Sequence, residues 1–128
     1  MADCDWIVLC DYAFPAQNGK LCLIGIFDLL GVPSVPYQHD RAAICFSVIG
    51  EPGEHVHLKL DIIGPTGQHV IPTFEQTVTL PDAGGAQGNI ELRGLKLKDF
   101  GRHAIQLDLG EGVPKTAWFT LKELPQSA

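Results

Sequence analysis

Apolar and polar residues alternate along most of this chain, and this alternation predicts β-strands rather than helices. Between His55 and Ile63, for example, every second residue is apolar, which gives one dry face and one wet face. Glycine, proline and asparagine clusters separate eight such runs. The predicted strands are Asp5–Phe14, Lys20–Leu30, Arg41–Ile49, His55–Ile63, His69–Leu80, Gly88–Leu95, Arg102–Leu109 and Thr116–Glu123.

Two of the predicted strands are apolar on both faces. In Asp5–Phe14, Ile7 and Leu9 alternate with Val8 and Cys10, and Lys20–Leu30 shows the same continuous character. A sheet in a sandwich buries only one face against its partner sheet, so a loop or a second subunit must cover the other. Because large exposed apolar patches mark association sites, we expect a homodimer formed through the Trp6–Phe14 and Leu21–Leu30 surfaces.

A short motif near the C-terminus narrows the fold class. Residues 99–105 read Asp-x-Gly-x-His-x-Ile and open an alternating run. The corner of immunoglobulin-like sandwiches has the same pattern, with tyrosine at the position of His103 and cysteine at that of Ile105. We therefore predict an all-β, immunoglobulin-like antiparallel β-sandwich of about eight strands, forming one domain over residues 1–128. His103 then either bonds a nearby backbone carbonyl, as the corner tyrosine does, or acts as a pH switch.

Composition and charge exclude several function classes. The 128-residue chain carries a net charge of -6 with a pI near 5.2, and its nine Lys and Arg residues are scattered, which argues against nucleic acid as a partner. The acidic N-terminus has neither the basic start of a signal peptide nor a span long enough for a membrane, so a cytoplasmic location is expected. The four cysteines form no CxxC pair and are predicted to be free, buried thiols: Cys4, Cys10, Cys22 and Cys45.

Residues suited to catalysis are sparse, and we predict neither an enzyme nor a cofactor. The three serines, Ser34, Ser47 and Ser127, lie in no Gly-x-Ser-x-Gly motif, and the glycines of residues 84–88 lack the lysine and helix of a phosphate loop. His55 and His57 point the same way on one strand, as paired metal ligands do in cupins. A metal site there would need a third ligand, for which Asp61 and His69 are the candidates.

Several segments together resemble a known family. They are Leu9-Cys10-Asp11-Tyr12-Ala13, Asn18-Gly19-Lys20-Leu21, Ile24-Gly25-Ile26-Phe27-Asp28 and the alternating strand Ala117-Trp118-Phe119-Thr120-Leu121. The chain is similar over most of its length to small bacterial proteins described only as a domain of unknown function, although Ile26 replaces a second glycine. The resemblance implies a cytoplasmic β-sandwich and brings no catalytic residues.

Two functions fit these observations. The first is a non-catalytic interaction or structural module that binds itself or another protein through exposed strands or through the Pro81–Gly88 and Val32–Asp40 loops. The alternative is a cupin-type β-barrel that binds a metal or a small ligand with His55 and His57.

Overall fold

The computed structural model describes residues 2–110 and 112–124, and the strands within them form two sheets. In chain order the strands are β1 (Asp3–Pro15), β2 (Leu21–Ile26), β3 (Leu29–Val32), β4 (Tyr37–Ile49), β5 (His55–Ile63), β6 (Phe74–Thr79), β7 (Gly85–Leu97), β8 (Gly101–Asp108) and β9 (Lys115–Glu123). One sheet has the order β2-β1-β4-β7, and the other has the order β3-β9-β8-β5-β6.

The two sheets face each other across one apolar core. Its fully buried side chains alternate along the central strands, as in Val56, Leu58, Leu60 and Ile62 of β5. All strand pairs are antiparallel except β3 with β9, which run parallel. The predicted β-sandwich is confirmed, with nine strands in the described part of the chain where eight were expected.

The additional strand arises because the predicted strand Lys20–Leu30 was wrong as a single element. It divides into β2, which pairs with β1, and β3, which pairs with β9 of the opposite sheet. The Phe27 N–H still donates to the Leu9 carbonyl of β1 at 3.0 Å. The carbonyl of the following residue, Asp28, instead accepts from the Thr120 N–H of β9 at 2.9 Å. The chain therefore crosses from one sheet to the other between Phe27 and Asp28.

Other strand boundaries also differ from the prediction. Of the predicted strand His69–Leu80, only Phe74–Thr79 forms a regular strand, β6. The preceding residues 69–73 contribute a single bridge, between His69 and Ile63. Pro72 in this stretch has no N–H to donate. The predicted Pro81–Gly88 and Val32–Asp40 loops are shorter, since β7 already begins at Gly85 and β4 at Tyr37.

Candidate interaction surface

The outer face of the four-stranded sheet carries a second apolar cluster, as the two-sided pattern of β1 predicted. Val8 lies opposite Cys45 and Cys10 lies opposite Ala43, so these side chains share the face that points away from the core. The cluster, called the outer cluster below, consists of buried Cys10, Ala13, Ala43 and Cys45 with half-buried Trp6, Val8, Leu21 and Leu23. All of its members belong to β1, β2 and β4.

The thiols of the outer cluster serve packing. The sulfur atoms of Cys10 and Cys45 lie 3.8 Å apart, and both residues are fully buried. Burial, with the neighbouring Cys10 thiol, raises the pKa of Cys45 to about 12, and burial also raises the pKa of Cys4. The thiols of Cys45 and Cys4 are therefore protonated at neutral pH and lack the thiolate that nucleophilic chemistry requires. All four cysteines are free, as the spacing predicted, although Cys22 is only half-buried.

Next to the outer cluster, the crossing between the two sheets opens a cleft of about 340 Å³. Its lining residues are Ile7, Val8, Ile26, Phe27, Asp28, Ala117 and Trp118. Two large apolar side chains at this cleft remain largely in solvent, since Ile26 is 63% exposed and Trp118 is 48% exposed. Leu29, which is also exposed, lies opposite Thr120 on β9 and extends the apolar surface.

Charged groups accompany these apolar side chains. The Arg102 guanidinium lies 4.0 Å from the centroid of the Trp118 ring, which holds both side chains in place. Asp28 is exposed and lines the same cleft as Trp118. Neither Arg102 nor Asp28 takes part in an ion pair within residues 2–110 and 112–124. The crossing surface, defined as Val8, Ile26, Asp28, Leu29, Arg102 and Trp118, thus combines apolar anchors with one acid and one base.

His103 of the Asp-x-Gly-x-His motif is buried near the start of β8. Its side chain is 1% exposed, its Nδ1 lies 3.1 Å from the Gly101 carbonyl oxygen, and its ring stacks on Phe119 with centroids 4.7 Å apart. The hydrogen bond to a backbone carbonyl agrees with the structural interpretation of this residue. Burial lowers the pKa of His103, while the Gly101 carbonyl and the Asp99 carboxylate oppose that shift.

The lowered pKa of His103 predicts a pH dependence of stability. Because the folded protein holds this ring neutral, the unfolded chain binds more protons once the pH falls below the unfolded value of about 6.5. Stability is therefore full above that pH and decreases as the pH falls through it. We expect the melting temperature to decline from pH 7 towards pH 5.5, and H103F, which retains ring stacking without titrating, to reduce that decline. Equal slopes in the two proteins would contradict the assignment.

The histidine pair His55 and His57 lies on the exposed face of β5. Their Nδ1 atoms lie 2.8 Å and 3.0 Å from the hydroxyl oxygens of Thr79 and Thr77 on β6. The expected third ligands are engaged with each other, since His69 Nδ1 lies 3.3 Å from Asp61 Oδ1. Among the described residues no group of three His, Cys, Asp or Glu side chains is arranged to hold a metal ion.

Sequence reasoning identified β1 and Ile26 as part of an apolar surface but did not connect them with Trp118. The connection requires β3 to run parallel to β9, a pairing between distant segments for which the sequence carries no local signal. The only local hint was the polar Asp28 within an otherwise apolar run.

Comparison with known proteins gives a family and a fold. Residues 5–122 match the model of a family of unknown function, DUF6941, and the chain belongs to that family. No curated protein matches it. Within the described residues, no helix is long and apolar enough to cross a membrane.

The similar solved structures are parts of much larger proteins. A β-glucosidase from Listeria innocua in complex with isofagomine aligns with 74% of this chain and 15% of its own length, at 9% identity and a TM-score of 0.53. A β-glucosidase, EmGH1, from Erythrobacter marinus aligns with 74% of this chain and 14% of its own, at 17% identity and a TM-score of 0.52. At such identities the likeness concerns the fold alone, because one fold carries many functions.

Proposed function

We propose that this member of a family of unknown function is a non-catalytic interaction module that forms a homodimer through the crossing surface. The proposal includes a single immunoglobulin-like domain and a location in the bacterial cytosol. Family membership supplies no activity, so the proposal depends on the chemistry of the surface itself.

The observation that carries the proposal is the exposure of Ile26 and Trp118 beside Asp28 and Arg102, which form no ion pair among the described residues. A two-fold dimer uses the same patch on both subunits, so the patch must complement itself. Here the apolar side chains can pack on their own copies, while Asp28 of one subunit meets Arg102 of the other. Trp and Arg are also the residue types that contribute most to binding at interfaces.

The burial of the cysteines and of His103 supports the non-catalytic part of the proposal. The pKa of Cys4 and that of Cys45 shift upward, whereas a catalytic thiol needs a lowered pKa. His103 is enclosed by Phe119 and the Gly101 carbonyl, and its ring is therefore withdrawn from any substrate. These residues stabilise the sandwich.

A charge swap tests the pairing of Asp28 with Arg102. We expect D28R and R102D each to weaken dimerisation about fivefold per contact, because each places like charges against each other, and the double variant to restore it. Sedimentation equilibrium of the three variants and the unaltered protein measures the dissociation constants. Variants K96E and K98E, which change exposed charges at the opposite edge of the sandwich, are the controls. A double variant as weak as the single ones would refute this pairing.

A further inference from the structure

A second groove lies at the opposite side of the sandwich, where β7 and β6 are the edge strands of their sheets. It encloses about 560 Å³, within the range of ligand-binding pockets. One wall is β7 from Ile90 to Lys96, and the other is the segment from Val70 to Phe74. Half-buried apolar side chains of both walls pack against the core: Val70, Ile71, Phe74, Ile90 and Leu92.

The wall formed by residues 70–74 is held in place by the Asp61 carboxylate and by a backbone hydrogen bond to β5. Asp61 Oδ1 accepts a hydrogen bond from the Thr73 hydroxyl at 2.5 Å and lies 3.3 Å from His69 Nδ1. Val70 N–H also donates to the Ile62 carbonyl at 2.8 Å. The segment is therefore fixed to β5 at both ends and does not pair with β7, which keeps the groove open.

The other wall offers the unpaired edge of a long strand. Within residues 2–110 and 112–124, β7 pairs only with β4, so its second edge has backbone groups available for a further strand. At Gly94, where φ is +63°, the alternation shifts by one residue, so that Leu92 and then Leu95 face inward. This shift leaves Lys96 exposed at the end of the groove.

The end of the groove is basic in an otherwise acidic protein. Lys96 and Lys98 line a continuation of the groove with Gln68, His69 and Val70. Neither lysine takes part in an ion pair within the part of the chain that the structure describes. The nearby acids are engaged, since Asp99 accepts from Gln68 at 2.7 Å and Asp61 contacts His69.

We infer that this groove binds an extended acidic peptide segment of a partner protein, which adds to the edge of β7. The backbone of the peptide pairs with β7, alternate apolar side chains enter the groove, and carboxylates reach Lys96 and Lys98. The occupant is acidic because the unpaired charges at the groove are positive. This inference is independent of the dimer, since no residue of the crossing surface belongs to β6 or β7, the edge strands that form the groove.

The probe is a fluorescein-labelled eight-residue peptide in which valine and isoleucine alternate with glutamate. We expect saturable binding with a dissociation constant below about 1 mM. The double variant K96E/K98E should weaken binding at least about tenfold, whereas K20E/K122E, with the same change in net charge away from the groove, should not. Amide hydrogen exchange should slow in β7 between Ile90 and Lys96.

A second peptide distinguishes backbone pairing with the edge of β7 from binding through side chains alone. Methylation of alternate backbone nitrogens retains every side chain but removes donors that a new strand needs, and should weaken binding at least about tenfold. No saturable binding, equal binding of the methylated peptide, or an equal loss in both double variants would each overturn the inference.

Discussion

Replacing Phe119 with alanine is expected to lower the free energy of unfolding by about 3–5 kcal/mol. The Phe119 side chain is 1% exposed, lies in the core between the two sheets and stacks on His103. Truncation removes apolar burial and leaves a cavity that strands paired on both sides cannot close. The same variant also exposes one face of the His103 ring. Urea denaturation with circular dichroism measures the effect.

Two further variants show whether the loss of stability in F119A comes from core packing. F119L, which retains much of the volume but loses the stacked ring, should be destabilised less than F119A. V113A, at a position 93% exposed, should leave stability unchanged within about 0.5 kcal/mol. A loss below about 1 kcal/mol in F119A would contradict the central position of this side chain.

The strand that the sequence predicted best is β5, which has one dry and one wet face. The bounds of β5 agree with the prediction because a period of two leaves only one way to bury Val56, Leu58 and Leu60. The corner at His103 was also predictable, since a motif of residues near in sequence determines a local hydrogen bond.

The division of residues 20–30 into β2 and β3 was not predictable by the same reasoning. Between Leu21 and Leu30 only Gly25 and Asp28 are not apolar, so the pattern predicts one strand. The division depends on Thr120 N–H donating to Asp28, a tertiary contact far along the chain. The candidate site was therefore predicted only in its half on β1 and β2, while Arg102 and Trp118 became part of it through folding.

Trp118 is the residue whose replacement should most affect self-association. We expect W118D to raise the dimer dissociation constant at least about 30-fold, which corresponds to about 2 kcal/mol for an aromatic anchor. The change removes a ring that is 48% exposed, withdraws the platform on which Arg102 lies, and places a carboxylate at the interface. Analytical ultracentrifugation over a concentration series measures the shift.

The matched control for this variant is V113D. It makes the same change from an exposed apolar residue to aspartate, but at a position outside the crossing surface. It should retain the dissociation constant of the unaltered protein, and both variants should keep its β-sheet circular dichroism spectrum. Equal effects of W118D and V113D would indicate a general influence of charge rather than a contact at Trp118.

Native mass spectrometry of the unaltered protein at tens of micromolar tests the central claim most directly. Self-association through the crossing surface predicts a species of twice the 13.9 kDa chain mass, which W118D converts to a single chain. A single chain of 13.9 kDa for the unaltered protein under these conditions would contradict the homodimer, as would a dimer that W118D leaves intact.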